Sequence, residues 1–421
     1  MKTRRKVIPQ SFEVTIEKLV YGGFGLGRHE GKVVFVPFTV PADRVEVRVV
    51  RQRRNFLHAA VVKVLQPGPG RQAPPCGHFG RCGGCQWQHL EYPRQVETKR
   101  QILEEVLHHR FPECRKLEIR MQEAPQPFGY RSRARVQLRG FGSRSKVGFF
   151  RFQSHELEDV ESCPLFRPVL NEALGSVRQT RRNESYDPGT QQLELACSQE
   201  DGTWGMADAS READEGFSAA RGNEDSEADP VILRRKIGDF TYSVSPSVFF
   251  QANDHLVETM VQRVENLAQG STGTAAALDL FCGVGLFTLA LARRFQSVVA
   301  VESSLLASRL CAQNATEAGL PNIKTICAQA VEWTQATAAG GQQNFDLVLL
   351  DPPRAGAGAE VMKRLSDWAP DTIIYVSCDP HTMVRDLACL NPGDYEIDSI
   401  EGLDLFPQTY HFESLVRLRR R

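Results

Sequence analysis

Residues 275–295 read AAALDLFCGVGLFTLALARRF, an apolar run that turns at Gly283 and Gly285 and continues as a helix-forming segment. Glycines at such a turn let the backbone approach a ligand closely, and a helix N-terminus offers unpaired N–H groups. The next apolar run, SVVAVES, places Glu302 about 20 residues further on, where a carboxylate can accept hydrogen bonds from both ribose hydroxyls. This strand, turn and helix predict a nucleoside-binding α/β unit.

The same alternation of buried strands and amphipathic helices continues to the C-terminus, through FDLVLLDPP, TIIYVSC and FESLVRLRR. It predicts a doubly wound α/β sheet over residues 251–421, with ligands at the C-terminal ends of the strands. The turn has fewer glycines than the dinucleotide fingerprint, and the sequence contains no phosphate-binding Gly-Lys-Ser/Thr. An adenosyl cofactor without phosphates fits better, so this region looks like a class I S-adenosylmethionine-dependent methyltransferase.

The first 68 residues follow a different pattern. Short alternating segments such as FEVTIEKLV and RVEVRVVRQ are separated by the turns YGGFGLG and VPAD. Period-two alternation with regular turns predicts a small all-β barrel over residues 1–68. The stretch QPGPGRQAPP then breaks regular structure and predicts a linker.

Residues 74–250 open with a cysteine cluster and continue with a helix-forming stretch, YPRQVETKRQILEEVLHH, and strand-forming stretches such as RARVQLRGF and KVGFFRF. This order predicts a central α+β domain with an antiparallel sheet. Residues 209–229 are rich in Ser, Ala, Gly and acidic residues and nearly lack large apolar ones. That composition predicts a disordered insertion.

The chain has 421 residues, of which 41% are hydrophobic, so it can bury cores in more than one domain. It contains neither a membrane-length apolar run nor a charged leader with a cleavage site, which predicts a soluble, cytoplasmic protein with no membrane partner. The formal net charge is zero, yet the first 75 residues are strongly basic. This asymmetry suggests a polyanion partner, although charge alone also allows a solvated positive face.

Five motifs in one order carry a family resemblance: FFQAN (249–253), LDLFCGVGLFTL (278–289), LLDPPRAG (349–356), VSCDP (376–380) and HFE (411–413). With the N-terminal barrel included, nearly the whole chain resembles the RNA 5-methyluridine methyltransferases. The resemblance implies an α/β class I catalytic domain, an N-terminal OB-like β-barrel and a central α+β iron–sulfur domain. It also implies S-adenosyl-L-methionine as the methyl donor.

The chemistry of this family explains the cysteine in VSCDP. Carbon 5 of uracil is a poor nucleophile, whereas a thiolate that adds to carbon 6 makes the ring an enolate with electron density on carbon 5. The resemblance makes Cys378 that nucleophile. After methylation the remaining proton on carbon 5 must leave, and Glu413 matches the family's general base. His411 is expected to orient or pack beside Glu413.

The resemblance also assigns a cofactor site. Three of the motifs and the strand that ends in Glu302 supply the expected cofactor contacts: Gln251, Phe281, Gly283, Gly285, Glu302 and Asp351. Of these, Asp351 matches a residue that lines both the cofactor and the uracil, and Gln251 matches a position that contacts both ligands.

Three positions depart from the family's pattern. Asp379 follows the cysteine where Asn is most frequent, and its charge is expected to raise the pKa of the Cys378 thiol. Leu286 replaces a frequent Asn after the glycine turn, which costs one cofactor contact. Gln329 stands where an acid is common, so the contact to the adenine stays open there.

Three cysteines lie close together in CGHFGRCGGCQWQHL, at positions Cys76, Cys82 and Cys85. Thiols at this spacing favour a metal over a disulfide in a reducing compartment. Spacing alone does not distinguish zinc from an iron–sulfur centre. The resemblance supplies Cys163 as a fourth ligand and implies a [4Fe–4S] cluster with a structural or RNA-positioning role.

RNA is the expected partner, and no DNA partner is expected. A uracil in folded RNA must be swung out of its stack before a thiol can reach carbon 6. The barrel resembles a TRAM domain, and its segment Arg44–Arg54 with Phe56 suits phosphates and base stacking. Arg131, Arg133 and Arg135 alternate along a predicted strand and extend this positive track, unless they form a solvated strand face.

The resemblance favours a structured RNA, 23S ribosomal RNA, as substrate, and a monomer is expected. Three alternatives stay open: a tRNA uridine-C5 methyltransferase, an RNA cytosine-C5 methyltransferase, and a non-catalytic RNA-binding assembly factor that keeps the fold. The cytosine enzymes use the same thiol chemistry but present a different motif around the cysteine.

Overall fold

The structure, a computed structural model, describes residues 11–185, 189, 191–198, 201–209, 231–269, 275–339 and 344–421. Apart from Ala209, the insertion predicted at 209–229 lies outside these residues. Among the helices described, none is both long enough and apolar enough to span a bilayer.

The N-terminal strands close into a barrel in the order β1-β2-β3-β5-β4. Its strands are β1 (Ser11–Leu19), β2 (Phe24–His29), β3 (Lys32–Pro37), β4 (Arg44–Gln52) and β5 (Phe56–Gln66). Alternate residues of β1 point inward, which buries Phe12, Val14 and Ile16 with valines of the other strands. The predicted OB-like barrel is therefore confirmed.

The middle of the chain contains helices α1 and α2 and strands β6 to β13. Their bounds are α1 (Tyr92–Arg110), β6 (Arg120–Gln122), β7 (Arg133–Arg139), β8 (Lys146–Phe150), β9 (Leu157–Asp159), α2 (Pro168–Asn183), β10 (Gln191–Cys197), β11 (Trp204–Asp208), β12 (Leu233–Ile237) and β13 (Phe240–Val244). Short 3₁₀ helices cover Pro112–Lys116 and Gly142–Arg144. Strands β11-β10-β7-β8-β9 form the central antiparallel sheet in that order, and α2 packs on it.

The C-terminal region alternates strands and helices as predicted. Its elements are α3 (Val257–Gln269), β14 (Ala276–Leu280), α4 (Thr288–Ala292), β15 (Ser297–Glu302), α5 (Leu305–Glu317), β16 (Ile323–Cys327), α6 (Ala330–Ala339), β17 (Leu347–Leu350), α7 (Ala359–Trp368), β18 (Thr372–Ser377), α8 (Pro380–Leu387), β19 (Tyr395–Leu403) and β20 (Glu413–Arg420). These strands and β6 form one eight-stranded sheet in the order β16-β15-β14-β17-β18-β20-β19-β6, which is called the catalytic sheet below because it carries the predicted catalytic residues.

Hydrophobic side chains cover both faces of the catalytic sheet. Leu347 and Leu349 of β17 pack with α3, α4 and α5 on one face, whereas Val348 and Leu350 pack with α1, α7 and α8 on the other. A strand buried on both faces has no polar side, which explains why β17 and β18 are continuous apolar runs in the sequence.

Two elements of the predicted central region pack on the catalytic sheet. Strand β6 pairs with β19 at the edge of that sheet, and α1 contacts α8, β6 and β19. The sequence predicts that this segment is helical but does not show which sheet the helix covers. The catalytic region is therefore completed by a segment more than a hundred residues before it in the chain.

Candidate active site

The predicted site residues share one edge of the catalytic sheet. Strands β15, β14, β17 and β18 are parallel neighbours in that order, so their C-terminal ends lie side by side. Strand β20 runs antiparallel to β18, so it begins at the same edge. The topology thus aligns the predicted residues that end, begin or follow these strands: Phe281, Gly283, Gly285, Glu302, Asp351, Cys378 and Glu413.

The turn after β14 adopts the left-handed backbone that the glycines predict. Gly283 has φ +55° and Gly285 has φ +91°, and Phe281 also has a positive φ, +65°. A Cβ at Gly285 would lie 2.9 Å from the Cys311 sulfur, so only glycine fits there, whereas the space beside Gly283 is open. The turn therefore leaves room for a ligand on the Gly283 side.

Glu302 holds this turn from the neighbouring strand. Its carboxylate accepts hydrogen bonds from the backbone N–H of Gly283 at 2.9 Å and of Ser304 at 2.9 Å, on different oxygens. The oxygen that accepts from Ser304 also accepts from the Ser303 hydroxyl at 3.1 Å, whereas the oxygen that accepts from Gly283 has a second lone pair for a ribose hydroxyl. The predicted ribose-binding position is thus compatible with a second role in shaping the turn.

Two further carboxylates lie behind the turn in surroundings that favour their neutral forms. Burial raises the pKa of Asp279 to about 7, although Thr288 donates a hydrogen bond to it at 2.6 Å. Burial likewise raises the pKa of Asp351 to about 7. The negative charges of Asp351 and Glu302 add to the rise at Asp279, so these carboxylates lie close together.

Cys378 and Glu413 are brought together by sheet register. Ser377 and Ser414 are paired residues of β18 and β20, and Cys378 and Glu413 are the next positions beyond that pair. Burial, and then the negative charge of Glu413, raise the pKa of the Cys378 thiol to about 12. Burial followed by the charge of Asp351 raises the pKa of Glu413 as well, and its Oε2 lacks a hydrogen-bond partner among the described residues. The predicted nucleophile and the predicted base therefore lie next to each other at this edge of the sheet.

Arg354 supplies the positive charge of the site, and sequence reasoning did not assign it. Its charge lowers the pKa of both Cys378 and Glu413, against the effect of burial. Its guanidinium lies 3.4 Å from Nε2 of His411, whose pKa burial lowers to about 3, so His411 is neutral. The sequence does contain a signal for Arg354, because this arginine directly follows the DPP motif at the end of β17.

The loop that leads into Glu413 is held from outside the catalytic sheet. Backbone carbonyls of residues 405–407 accept hydrogen bonds from the side chains of Asn253, Lys99 and Tyr130, at 3.0, 3.1 and 3.0 Å respectively. The fully buried Lys99 also donates to Asp404 at 2.5 Å. The position of the predicted base therefore depends on α1 and on the central region.

A residue of the barrel also contacts the predicted nucleophile. Tyr21, in the turn between β1 and β2, donates a hydrogen bond from its hydroxyl to the backbone carbonyl of Cys378 at 3.1 Å. Its ring makes edge contacts with His381, Tyr410 and Phe412. Nothing in the barrel sequence identified this contact.

The remaining predicted positions are placed as follows. Gln251 is 3% exposed, and its amide oxygen has no hydrogen-bond partner in the described part of the chain, which suits a ligand contact. Leu286 is buried and Gln329 is exposed. Asp379 caps α8 by accepting from the backbone N–H of His381 and Thr382, and its charge raises the pKa of Cys378 as expected, after larger contributions.

The four predicted cysteine ligands line one cavity, together with apolar side chains of the central region. Burial raises the pKa of Cys82 to about 11, and the thiols of Cys163 and Cys76 add to the rise. Burial similarly raises the pKa of Cys85 to about 12, with contributions from Cys163 and Cys82. Across the described residues, no group of three such side chains is arranged to hold a single metal ion.

The arginines predicted to extend an RNA track have different environments. Arg133 is 13% exposed and donates to Glu194, so it serves the interior of the domain. Arg131 lines the cysteine cavity, and Arg135 is 57% exposed while also paired with Glu194. Only Arg135 of these three is exposed enough to extend a surface track.

Comparison with protein families gives two matches along the chain. The family described as tRNA (uracil-5-)-methyltransferase matches residues 231–421, and the TRAM domain matches residues 7–62. The first match begins just before the hairpin β12–β13, whereas the sequence predicts that the catalytic domain starts at residue 251.

Relatives with assigned names match nearly the full length. The chain is 34% identical to the 23S rRNA (uracil(1939)-C(5))-methyltransferase RlmD of Pectobacterium atrosepticum, over 98% of this chain and 95% of that protein. It is also 34% identical to the protein of the same name from Alkalilimnicola ehrlichii, over 100% and 99% of the two chains.

One solved structure matches with a TM-score of 0.72 and 26% identity, over 97% of this chain and 100% of the other. It is the Pyrococcus abyssi tRNA (uracil-54, C5)-methyltransferase in complex with S-adenosyl-L-homocysteine. The likeness spans barrel, central and catalytic regions alike.

Proposed function

The chain belongs to the RNA uracil-5-methyltransferase family and uses S-adenosylmethionine, and on this premise we propose that it methylates a uridine of 23S ribosomal RNA through a transient bond from Cys378 to carbon 6 of the base. One observation carries the proposal. The pairing of Ser377 with Ser414 puts Cys378 beside Glu413, at the sheet edge where the glycine turn after β14 also lies.

The first step activates the uracil. The Cys378 thiol loses its proton to water, the thiolate forms a bond to carbon 6, and the electron pair of the 5,6 double bond moves toward carbon 5 and O4. Burial disfavours this thiolate, whereas the positive charge of Arg354 favours it. We assign Arg354 the role of stabilising the anionic groups of the site. S-adenosylmethionine, when bound, supplies the electrophilic methyl group that carbon 5 takes.

The second step restores the aromatic ring. Glu413, as carboxylate, removes the remaining proton from carbon 5, and the electron pair re-forms the double bond while the bond from carbon 6 to Cys378 breaks. The raised pKa of Glu413 makes its carboxylate a stronger base than an exposed one. Asp351, with a pKa of about 7, is suited to hold a proton near the polar edge of the uracil.

The cysteine cavity supports a [4Fe–4S] cluster as a resident group, held by Cys76, Cys82, Cys85 and Cys163. Four thiolates around one zinc ion would lie about 3.8 Å from one another, given a bond length of about 2.3 Å. A polynuclear cluster separates its cysteine ligands further, and the four cysteines proposed as its ligands all line the same cavity.

The donors around the thiols support the same assignment. The backbone N–H of Gly84 donates to the Cys82 sulfur at 3.4 Å, and the backbone N–H groups of Leu165 and Phe166 interact with Cys163. Hydrogen bonds to sulfur are a usual feature of cluster sites. Such a cluster would crosslink residues 76–85 to residue 163, and methyl transfer itself needs no electron transfer.

The substrate is proposed from the named relatives and has one specific rival. Both RlmD proteins are named for 23S rRNA, whereas the solved structure with full-length likeness is named for tRNA. Higher identity to the ribosomal RNA enzymes favours 23S rRNA for this chain. Transfer RNA is the second candidate.

Mapping of 5-methyluridine by mass spectrometry tests the substrate. Ribosomal RNA and tRNA from cells with and without the gene are compared, and the gene is restored as wild type, Cys378→Ala or Cys389→Ala. One 23S uridine is expected to lose its methyl group without the gene and to regain it with wild type and with the control, Cys389→Ala. A change confined to tRNA would move the assignment to that substrate.

Trapping tests the covalent step and the choice of base. Purified protein and methyl donor are expected to give a denaturant-resistant adduct with RNA that carries 5-fluorouridine, because fluorine at carbon 5 cannot leave as a proton. RNA with 5-fluorocytidine is expected to give none. The reverse result would identify a cytosine enzyme, and methylation at full rate by Cys378→Ala would exclude the covalent route.

Metal analysis tests the cluster. Protein purified without oxygen is expected to contain iron and acid-labile sulfide in equal amounts, and Cys163→Ala is expected to lose both. The buried Cys114, which lies outside the cavity, provides the control substitution Cys114→Ala. Zinc without sulfide in the wild type would contradict the assignment.

A further inference from the structure

A cleft of about 540 Å³ opens where the barrel, the central sheet and the cysteine-rich segment, residues 76–85, meet. Its lining includes Phe24 of the barrel, Gly83 and Gly84 of the cysteine-rich segment, and Phe150 at the end of β8. Of the residues that line it, only Arg135 and Gly84 have a role above, and neither role needs a ligand in the cleft.

The cleft adjoins the active site through Tyr410, which is part of its lining. The Tyr410 ring lies 5.2 Å from the ring of Tyr21 and 3.9 Å from that of His411. Tyr21 in turn holds the carbonyl of Cys378. A polynucleotide whose target base lies at Cys378 would therefore have a neighbouring nucleotide within reach of the cleft.

Aromatic rings from two domains form part of the walls. Phe24 and Phe152 approach with ring centroids 6.1 Å apart, and Phe150 is a further partly exposed ring. Partly exposed aromatic faces next to arginines are the usual platform for unpaired nucleobases. The walls thus fit a flat aromatic ligand.

Two buried amide oxygens at the cleft lack partners. Gln86 is 7% exposed and Gln137 is 6% exposed, both line the cleft, and the Oε1 of each accepts no hydrogen bond from any described residue. Gln86 donates from its amide nitrogen to the carbonyl of Gly83 at 2.8 Å, which fixes its orientation. A buried acceptor without a donor is unfavourable, so a ligand that brings N–H groups would satisfy both.

Positive charge is present at the same cleft. Arg135 and Arg151 line it with side chains 57% and 44% exposed. Each pairs with carboxylates through part of its guanidinium, but a guanidinium has five N–H donors, so donors remain for a phosphate. Stacking surface, unpaired acceptors and arginines together match one nucleotide.

We propose that this cleft receives an unstacked nucleobase next to the target uridine, and that it prefers a base with an exocyclic amino group. The inference rests on the proposed function and names a second contact of the same substrate. Swinging the uridine out of its stack leaves its neighbours without a stacking partner. The cleft replaces that partner and holds the distorted RNA in place.

The test uses a short RNA fragment centred on the mapped uridine, with an abasic residue at each neighbouring position in turn. The kcat/KM for methyl transfer is measured for wild type, Phe150→Ala and the control Phe141→Ala, a partly exposed phenylalanine outside the cleft. At one position the abasic residue is expected to lower the wild-type kcat/KM by about 5- to 150-fold. The Phe150→Ala substitution itself lowers kcat/KM, and the same abasic RNA is expected to lower the kcat/KM of this variant little further.

A second pair of variants separates stacking from folding and tests the amino group. Phe150→Leu keeps apolar volume and is expected to resemble Phe150→Ala in its response to the abasic RNA. Removing the exocyclic amino group of the identified base is expected to lower kcat/KM by about 2- to 10-fold in wild type and to have little effect in Gln137→Leu.

Two results overturn the inference in distinguishable ways. In the first result, wild type forms 5-methyluridine in the fragment, but at every position the abasic residue lowers kcat/KM by the same factor in wild type and in Phe150→Ala. The proposed function then stands, and the cleft serves another occupant, such as a protein segment. If wild type forms no 5-methyluridine in any RNA, the proposed function fails and the inference fails with it.

Discussion

The Tyr21 hydroxyl donates a hydrogen bond to the backbone carbonyl of Cys378 at 3.1 Å, so a turn of the N-terminal barrel contacts the backbone of the proposed nucleophile. Its ring makes edge contacts with the rings of His381 and Tyr410. The barrel is therefore positioned to orient the thiol as well as to bind RNA.

Tyr21→Phe tests this positioning. The substitution keeps the ring and removes one hydrogen bond, so kcat is expected to fall by about 2- to 10-fold while KM for RNA stays unchanged. Single-turnover methyl transfer and steady-state kinetics measure the two effects. Tyr395→Phe is the matched control, because it removes a hydroxyl bond to the carbonyl of Pro370 far from the site. Equal kinetic losses in both variants would assign Tyr21 a purely structural role.

Glu413→Gln is expected to slow turnover by about 10²- to 10⁴-fold, because an amide cannot remove the proton from carbon 5. In the proposed mechanism the addition of Cys378 and methyl transfer precede that step, so a protein–RNA adduct should accumulate with unmodified RNA. Denaturing gel electrophoresis detects it. Glu401→Gln on the neighbouring strand β19 is the control. Normal turnover, or inactivity without an adduct, would contradict the assigned role.

Asp379→Asn is expected to speed adduct formation at neutral pH. Removing this negative charge lowers the pKa of Cys378 toward its ordinary value, and the gain should stay below about tenfold, the factor for one pKa unit. Asparagine caps a helix as well as aspartate does, so α8 should keep its stability. Asp379→Ala loses the cap and should cost about 1 kcal/mol in unfolding free energy. An unchanged pH profile of adduct formation in Asp379→Asn would count against this reasoning.

Asp279 predicts a pH dependence of stability. Its folded-state pKa is raised from 3.8 to about 7, so the folded state binds more protons than the unfolded state between these values. The protonated Asp279 therefore contributes to the unfolding free energy fully below about pH 4. This contribution, at most about 4 kcal/mol, is lost as the pH rises to about 7. Urea unfolding should show a flatter pH dependence for Asp279→Asn than for wild type. The exposed Asp367 offers the control Asp367→Asn, and identical slopes in all three proteins would refute the prediction.

The buried pair of Lys99 and Asp404 should be costly to break. Lys99→Met leaves a buried carboxylate without its partner and is expected to lower the unfolding free energy by about 3–5 kcal/mol. The double variant Lys99→Met/Asp404→Leu should recover most of that loss. Lys18→Met, which breaks the exposed pair with Glu105, should cost less than about 1 kcal/mol. Urea unfolding measures these free energies. Equal losses in Lys99→Met and Lys18→Met would contradict the conclusion that the buried pair holds the loop before Glu413.

That most of the predicted cofactor residues share one edge of the sheet was predictable from local sequence. Gly283, Glu302, Asp351 and Cys378 lie at ends of parallel strands, and parallel strand ends share one edge whatever the packing details. The position of Glu413 followed from its motif, and the antiparallel pairing of β18 with β20 supplies the physical reason. The barrel was equally readable, because its alternation has a period of two residues.

The sequence by itself determined which edge of the sheet holds the predicted site residues, because strand periodicity and turn residues act over a few positions. Only the tertiary structure decided what surrounds them. Tyr21 and Cys378 are 357 residues apart in the chain, and Lys99 and Asp404 are 305 apart. Contacts of that separation depend on how whole domains pack, and no local pattern of hydrophobic and polar residues records that packing.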